Sequence, residues 1–296
     1  MNTTKIIIWG HKLHSHTHSY IHNAYYNTFK KLGYETFWFD NNDNVSNFNF
    51  NDCIFLTEGQ VDAKIPLNRS SRYILHHCNT NKYENYHYIN LCNYVNDCTI
   101  GKSYNYAGGK VEKINYFTYF DSKNKALYQP WATTLFQEEF DEFLPLDPSV
   151  NEIYYIGTVW GENINEINKF YKSCVGKNKK LVIAKTKSEE ESRALVRQSF
   201  ISSDVRLKHH VDVGYIPCRV FKNISYGKIP ATNSSYIRDF FGVNTLPYTF
   251  DIENLVQCNT DFYNLPEVKE LFHFLSHEVR KNHTFVNRIN HILEVL

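Results

Sequence analysis

Gly214-Tyr-Ile-Pro-Cys-Arg-Val-Phe-Lys-Asn-Ile-Ser-Tyr-Gly227, continued by Lys228-Ile-Pro-Ala-Thr-Asn233, decides how this chain is read. The spacing predicts a loop, a helix opened by Pro217 and closed by Gly227, and then a short strand. Arg219 and Lys222 fall in the first turns of that helix. The partial positive charge of a helix N-terminus disfavours cations there by a few tenths of a kcal/mol up to ~1 kcal/mol. Two cations in that place call for an anion, and a phosphate or diphosphate is the natural one. Carboxylates such as Asp212 or Asp239 would serve the same purpose.

A βα series leads up to this segment. Glu152 to Ile156 reads as a strand, Gly157-Thr-Val-Trp-Gly161 as a tight turn and Asn163 to Cys174 as a helix. Lys180 to Ala184 is the next strand, and Ser188 with Glu191 forms a capping box for a helix through Gln198. The small residues of the Gly157 turn would let backbone N–H groups approach a pyrophosphate, although an ordinary strand-to-helix turn has the same look. Lys185 ends a strand, where a cation could meet a phosphate or simply face solvent.

The first half has the same rhythm. Lys5 to Trp9 is a compact apolar strand, Gly10 to His18 a polar loop, and Ser19 to Leu32 a helix ended by Gly33. Glu35 to Phe39, Asp52 to Thr57 and Arg72 to His76 are further strands, and Tyr86 to Val95, Cys98 to Gly101 and Val111 to Phe120 continue the domain. Continuous apolar strands predict a mostly parallel, covered sheet. Pro145-Leu-Asp-Pro148 has the turn residues of a linker. The expectation is an α/β chain of two Rossmann-like domains facing across a cleft: 1–147 on the acceptor side and 148–296 binding a nucleotide, with ligands at the carboxyl ends of the strands. Two C-terminal helices, Glu267 to Val279 and Thr284 to Leu296, are expected to pack back on the first domain.

Bulk composition excludes several classes. The 296 residues carry 32 Lys and Arg against 31 Asp and Glu, a net charge of +1, so no broad basic field for nucleic acid is expected. No run has the apolar length of a membrane span and no signal peptide opens the chain, which predicts a cytoplasmic protein without an integral membrane segment. Seven scattered cysteines, with no C-x-x-C pair, read as reduced. The Asn-rich stretch Asn41 to Asn51 reads as a loop. Walker, G-x-G-x-x-G, G-x-S-x-G and H-E-x-x-H motifs are all missing, which removes most support for NTPase, dehydrogenase, hydrolase and zinc-protease readings.

The loop Gly10-His-Lys-Leu-His-Ser-His-Thr-His-Ser19 brings four histidines to the end of the first strand. An imidazole there suits a general base or a group that orients an acceptor. His14, His16 and His18 lie next to the helix start, and His11 lies nearer the strand. With no Cys or carboxylate at ligand spacing nearby, no metal is expected. Glu58 and His76 end two further strands and could line the same place, as acceptor-side groups with Gly10, His11 and His18. Surface or capping roles remain the plainer alternative for each.

Arg219-Val-Phe-Lys-Asn-Ile-Ser-Tyr-Gly227 resembles the R-x-F-E-x-x-x-x-G segment of GT-B glycosyltransferases, in particular the group related to the spore-protein glycosyltransferase CgeB. His283-Thr-Phe-Val-Asn-Arg288 resembles that group's H-T-Y-x-x-R signature. The resemblance implies a metal-independent transferase with no cofactor beyond its co-substrate, a UDP- or GDP-type nucleotide sugar, and a glycan or other hydroxyl acceptor. It implies that Tyr215 and Ile216 lie near the base, that Pro217 and Arg219, Val220, Phe221, Lys222 and Asn223 face ribose and diphosphate, and that Gly157, Thr158 and Trp160 approach the phosphates. The glutamate of the pattern falls on Lys222 here, and its partner carboxylate on Gly214. A catalytically inactive nucleotide-sugar-binding protein of the same fold, or another Rossmann-type enzyme, are the alternatives. His14 or His16, with Arg219 and Lys222, are the expected catalytic groups.

Overall fold

The computed structural model describes residues 4–16, 18–93, 111–115, 118–212, 214–243 and 246–296. The expected segment Cys98 to Gly101 lies outside them. The chain forms two compact units: one runs through Pro130 and takes in Phe285–Leu296, and the other spans Trp131–Thr284. The sequence reading placed its boundary later, at the turn residues Pro145 to Pro148. Here Asp141 and Leu144 donate backbone hydrogen bonds to Ser225 and Gly227, so this stretch runs along the second unit.

The first unit is built on one sheet. β1 (Ile6–Trp9), β2 (Thr36–Phe39), β3 (Ile54–Glu58), β4 (Arg72–His76), β5 (His87–Cys92), β6 (Val111–Asn115), β7 (Thr118–Asp121) and β8 (Ala126–Tyr128) stand in the order β2-β1-β3-β4-β5-β8-β7-β6. Strands β2 through β8 in that order pair parallel, as the continuous apolar runs predict, while β7 pairs antiparallel with both β8 and β6. β1 and β3 are buried at every position, which requires cover on both faces. α1 (Ser19–Lys31) supplies one cover with Ala24, Tyr25 and Phe29, and the closing helix of the chain packs on α1 through Tyr25 and Phe285, ring centroids 5.0 Å apart. Loops supply the other: Phe48, Phe50 and Ile65 pack on Phe55, Tyr73 and Leu75.

The second unit begins its regular structure with β9 (Glu152–Ile156), α2 (Ile164–Val175), β10 (Lys180–Ala184) and α3 (Glu189–Gln198). β9 and β10 pair parallel. β11 (Ser202–Asp204) pairs with β12 (Pro230–Thr232), also parallel, and lies beside β9 through Phe200 N–H to Glu152 O at 2.8 Å and Ser203 Oγ to Tyr154 O at 3.3 Å. Between β11 and β12 come α4 (Lys208–Asp212) and α5 (Cys218–Ser225), the helix of the opening segment. Gly227, at φ +88°, closes α5 where a Cβ would sit 2.2 Å from Glu142 O, so only glycine fits. α6 (Ser235–Phe241), α7 (Leu255–Tyr263) and α8 (Val268–Asn282) complete the unit, followed by the closing helix α9 (Phe285–Val295). Of the two C-terminal helices, only α9 returns to the first unit. α8 packs on α5 because Val268, Phe272, Leu275 and Val279 belong to the same apolar cluster as Val220, Phe221 and Ile224.

Candidate functional site

In the first unit, the carboxyl ends of β1, β3 and β4 bring together an imidazole–carboxylate cluster. Parallel pairing sets Glu58, the last residue of β3, directly beside His76, the last residue of β4. His18 precedes the first turn of α1 and donates through Nδ1 to Glu58 Oε1 at 2.5 Å. His11 Nε2 and His22 Nε2 lie 3.7 and 3.8 Å from the other carboxylate oxygen, Oε2. The His18 and His76 rings meet edge to face at 5.3 Å, and His16 stacks on His11 at 4.2 Å. Glu58 is 1% exposed, and its Oε2 has no hydrogen-bond partner among the described residues.

Electrostatics follow from this burial. Burial pushes His76 down to about 3 and His22 to about 4, so both are neutral imidazoles at neutral pH. His11 is lowered as well, by burial and then by His16. For Glu58, burial works to raise the carboxyl, but the hydrogen bond from His18 outweighs it and holds it below its usual range. The corner therefore presents an ionised, buried carboxylate that orients a half-exposed histidine, the arrangement used to aim a general base.

The sequence reading singled out this loop but not every residue of the cluster. The structure brings His11, His16, His18, Glu58 and His76 together. His14 does not: it is exposed, at φ +70°, with Nδ1 3.3 Å from Tyr20 Oη. His22 was missed, although its spacing of four from His18 puts it on the same helix face. Gly10 acquires a reason too. A Cβ there would lie 2.4 Å from His22 Nδ1, so glycine makes room for the buried ring.

The second unit has its own corner at the carboxyl end of β9. Arg219, from the first turn of α5, donates through Nη2 to Ile156 O at 2.9 Å and lies over the Tyr155 ring at 4.8 Å. A Cβ on Gly157 would stand 2.9 Å from that Nη2, so the two elements read separately as anion-binding meet at one point. Nearby residues not anticipated are Asp204, paired with Arg206, whose guanidinium faces the Tyr215 ring at 5.6 Å. Tyr215 Oη accepts from Trp131 Nε1 at 3.1 Å, and the His210 ring lies tilted against the same ring at 5.0 Å.

Other expectations are corrected by this geometry. Lys222 meets Glu189 Oε2 at 2.7 Å, so its anion is a carboxylate at the start of α3, and neither Asp212 nor Asp239 supplies it. Ile216, Val220 and Phe221 are buried in the apolar cluster, which leaves only their backbone to a ligand, and Asn223 is 2% exposed. Pro217 precedes α5 as its N-cap. In the Gly157 turn, Gly157 N–H is given to Ala184 O and Trp160 N–H to Asn163 Oδ1, while Asn163 Nδ2 holds Thr158 O. Thr158, Trp160 and Lys185 are exposed around that turn and the end of β10.

No protein-family model matches the chain, and no curated protein matches it. Solved structures do. A DNA-modifying β-glucosyltransferase, crystallised with and without uridine diphosphoglucose, aligns over 94% of each chain at 10% identity with a TM-score of 0.56. T4 phage BGT in complex with its UDP-glucose substrate aligns over 94% of each chain at 10% identity and 0.52. Trehalose-6-phosphate from E. coli bound with UDP-2-fluoro glucose covers 94% of this chain and 77% of its own, at 8% identity and 0.50. At such identities the likeness shows the fold, which is that of GT-B glycosyltransferases. Among the described residues no helix is long and apolar enough to cross a membrane.

Proposed function

We propose that this chain is a glycosyltransferase that moves a sugar from a UDP- or GDP-type nucleotide sugar to a hydroxyl of a saccharide, lipid or protein acceptor in the cytoplasm. The observation that carries the reading is the His18–Glu58 pair at the carboxyl edge of the first sheet: a buried carboxylate holding a half-exposed imidazole where this fold presents ligands. His18 takes the acceptor proton as the acceptor oxygen attacks the anomeric carbon. The bond from that carbon to the diphosphate breaks, and the diphosphate departs with the bonding pair. Arg219, set at the Gly157 turn, offsets the charge that develops there. A single displacement of this kind inverts the anomeric centre. UDP-glucose in the structural neighbours supports the donor class. The acceptor side is assigned to the first unit and the donor side to the second, which part at Pro130 and Phe285 rather than at 147/148.

Lys222 favours a second reading, an inactive nucleotide-sugar-binding protein. It stands where the resembled pattern has a glutamate and is tied to Glu189. Thermal shift against UDP, GDP, ADP, CMP, TDP and NAD, followed by product detection with glycosides, lipids and hydroxymethylated DNA as acceptors, separates the two. One nucleoside diphosphate is expected to raise the melting temperature. That shift is lost in Arg219→Ala and kept in Lys222→Ala, and turnover is lost in His18→Ala with the shift intact. A nucleotide shift without product in the wild-type protein would favour the inactive reading. No shift with any nucleotide would sink both.

A further inference from the structure

Glu58 poses a problem that the transferase reading leaves unsolved. It is a carboxylate at 1% exposure, its one hydrogen bond among the described residues runs through Oε1, and its Oε2 faces His11 and His22 at distances too long for hydrogen bonds. A buried carboxylate left with half its acceptor capacity unused is destabilising, because that oxygen has given up water and gained no donor in exchange. Imidazoles stand around it on several sides, and in their neutral form they bring lone pairs rather than positive charge.

We propose that this corner binds a divalent transition-metal ion through His18, Glu58 and His76, a two-histidine, one-carboxylate set. One ligand atom from each of the three lies within 4.8 Å of the others. A tetrahedral ion with bonds of about 2.0–2.2 Å needs its ligand atoms about 3.4 Å apart. The His18–Glu58 contact of 2.5 Å has only to open by a small side-chain movement to admit the ion between them. The ligands sit on stiff supports: Glu58 and His76 are paired in register on adjacent strands, and His18 stands at the start of a helix. The edge-to-face setting of the His18 and His76 rings lets both aim at one point, and His18, with 32% of its side chain exposed, leaves an entry path. Imidazole and carboxylate together select zinc, cobalt, nickel, copper or iron over magnesium or calcium, whose ligands are oxygen. His11 and His16 with Glu58 form a second such group on the loop side, which shares the carboxylate and has less rigid supports.

A consequence for turnover rests on the transferase reading: an ion between His18 Nδ1 and Glu58 Oε1 replaces the hydrogen bond through which the carboxylate supports His18 Nε2 as the base. Metal loading therefore switches the base off. Binding itself does not depend on that reading.

The test uses the full, tag-free chain stripped of metal with a chelator. Titration with Zn²⁺ by calorimetry and with Co²⁺ by visible absorption is expected to show one equivalent bound and the intense bands of a four-coordinate cobalt centre. Glu58→Gln and His76→Ala are expected to weaken binding at least tenfold, whereas His87→Ala, an exposed histidine on β5, leaves it unchanged. Circular dichroism checks that each variant is folded. Absence of saturable binding in the wild-type chain would overturn the proposal whatever the variants do, and so would affinity that is unaltered in folded Glu58→Gln and His76→Ala. A chain that binds cobalt but no nucleotide would refute the transferase reading alone. One that binds nucleotide and transfers sugar, with no metal bound, would refute this inference alone.

Discussion

At the residue scale, the candidate site depends on small features that have no side-chain chemistry of their own. Gly10 is the clearest. A methyl group there would fall 2.4 to 2.7 Å from three atoms of the His22 ring, which projects from α1 and is itself 2% exposed. Gly10→Ala must therefore push the ring or the end of β1, and overpacking of this kind costs about 1–3 kcal/mol. Chemical denaturation is expected to show that loss, and His22→Ala introduced together with Gly10→Ala is expected to cost less than the two changes added separately, because the clash has been removed. Costs that simply add would show that His22 is not what Gly10 accommodates. Lys222 carries the opposite lesson. The sequence reading puts Lys222 near a helix start and calls for an anion; in the structure it lies in the last turn of α5, and its anion is Glu189, 33 residues away. Charge logic identified the need and could not identify the donor, because no local pattern tells a ligand phosphate from a distant carboxylate.

At the element scale, the fold was legible wherever periodicity or turn chemistry was strong. β4, β9 and β10 begin and end where their apolar runs do, and α3 starts at Ser188, whose Oγ accepts from Glu191 N–H as the capping pattern predicts. β11 was invisible because Ser202-Ser203-Asp204 is polar yet fully buried, satisfied by partners such as Ile229 O and Thr232 Oγ1 that only the fold supplies. α6 and α7 were missed for a related reason: α7 buries a polar residue, Asn259, on its packed face. The same limit left the direct bond between Glu58 and His18 unread, since 40 residues separate them. The His283-to-Arg288 segment also gains a physical account. His283 stacks on Phe221 at 4.9 Å within the second unit, while Arg288, at 0% exposure, donates through Nε to Pro130 O at 2.7 Å within the first. Arg288→Ala leaves that carbonyl short of a donor and opens space beneath α9, a loss of roughly 2–4 kcal/mol. Thermal unfolding should drop accordingly. An unchanged melting temperature would mean that α9 is held by Tyr25, Phe285, Ile289 and Ile292 without it.

At the scale of the whole molecule, both units carry histidines kept neutral by their surroundings. In the first, burial and then Arg288 push His291 down to about 4; in the second, burial followed by Arg206 and His209 does the same to His210. An unfolded histidine titrates near 6.5, so between that value and about 4 the unfolded chain binds more protons than the folded one. Stability contributed by each residue is complete above about pH 6.5 and is lost as pH falls toward 4. The slope approaches ~1.4 kcal/mol per pH unit for each such residue in mid-window. His22 in the first corner acts with the same sign. Urea denaturation at pH 7.5, 6 and 5 is expected to show falling stability, with His210→Gln and His291→Gln each flattening the profile. A flat profile for the wild-type chain over this range would mean that water reaches these rings and that they ionise in the folded protein. Because the two histidines sit in different units, a variant that flattens only part of a two-step transition would also report which unit unfolds first, a property that neither the near-neutral composition nor either sheet considered by itself reveals.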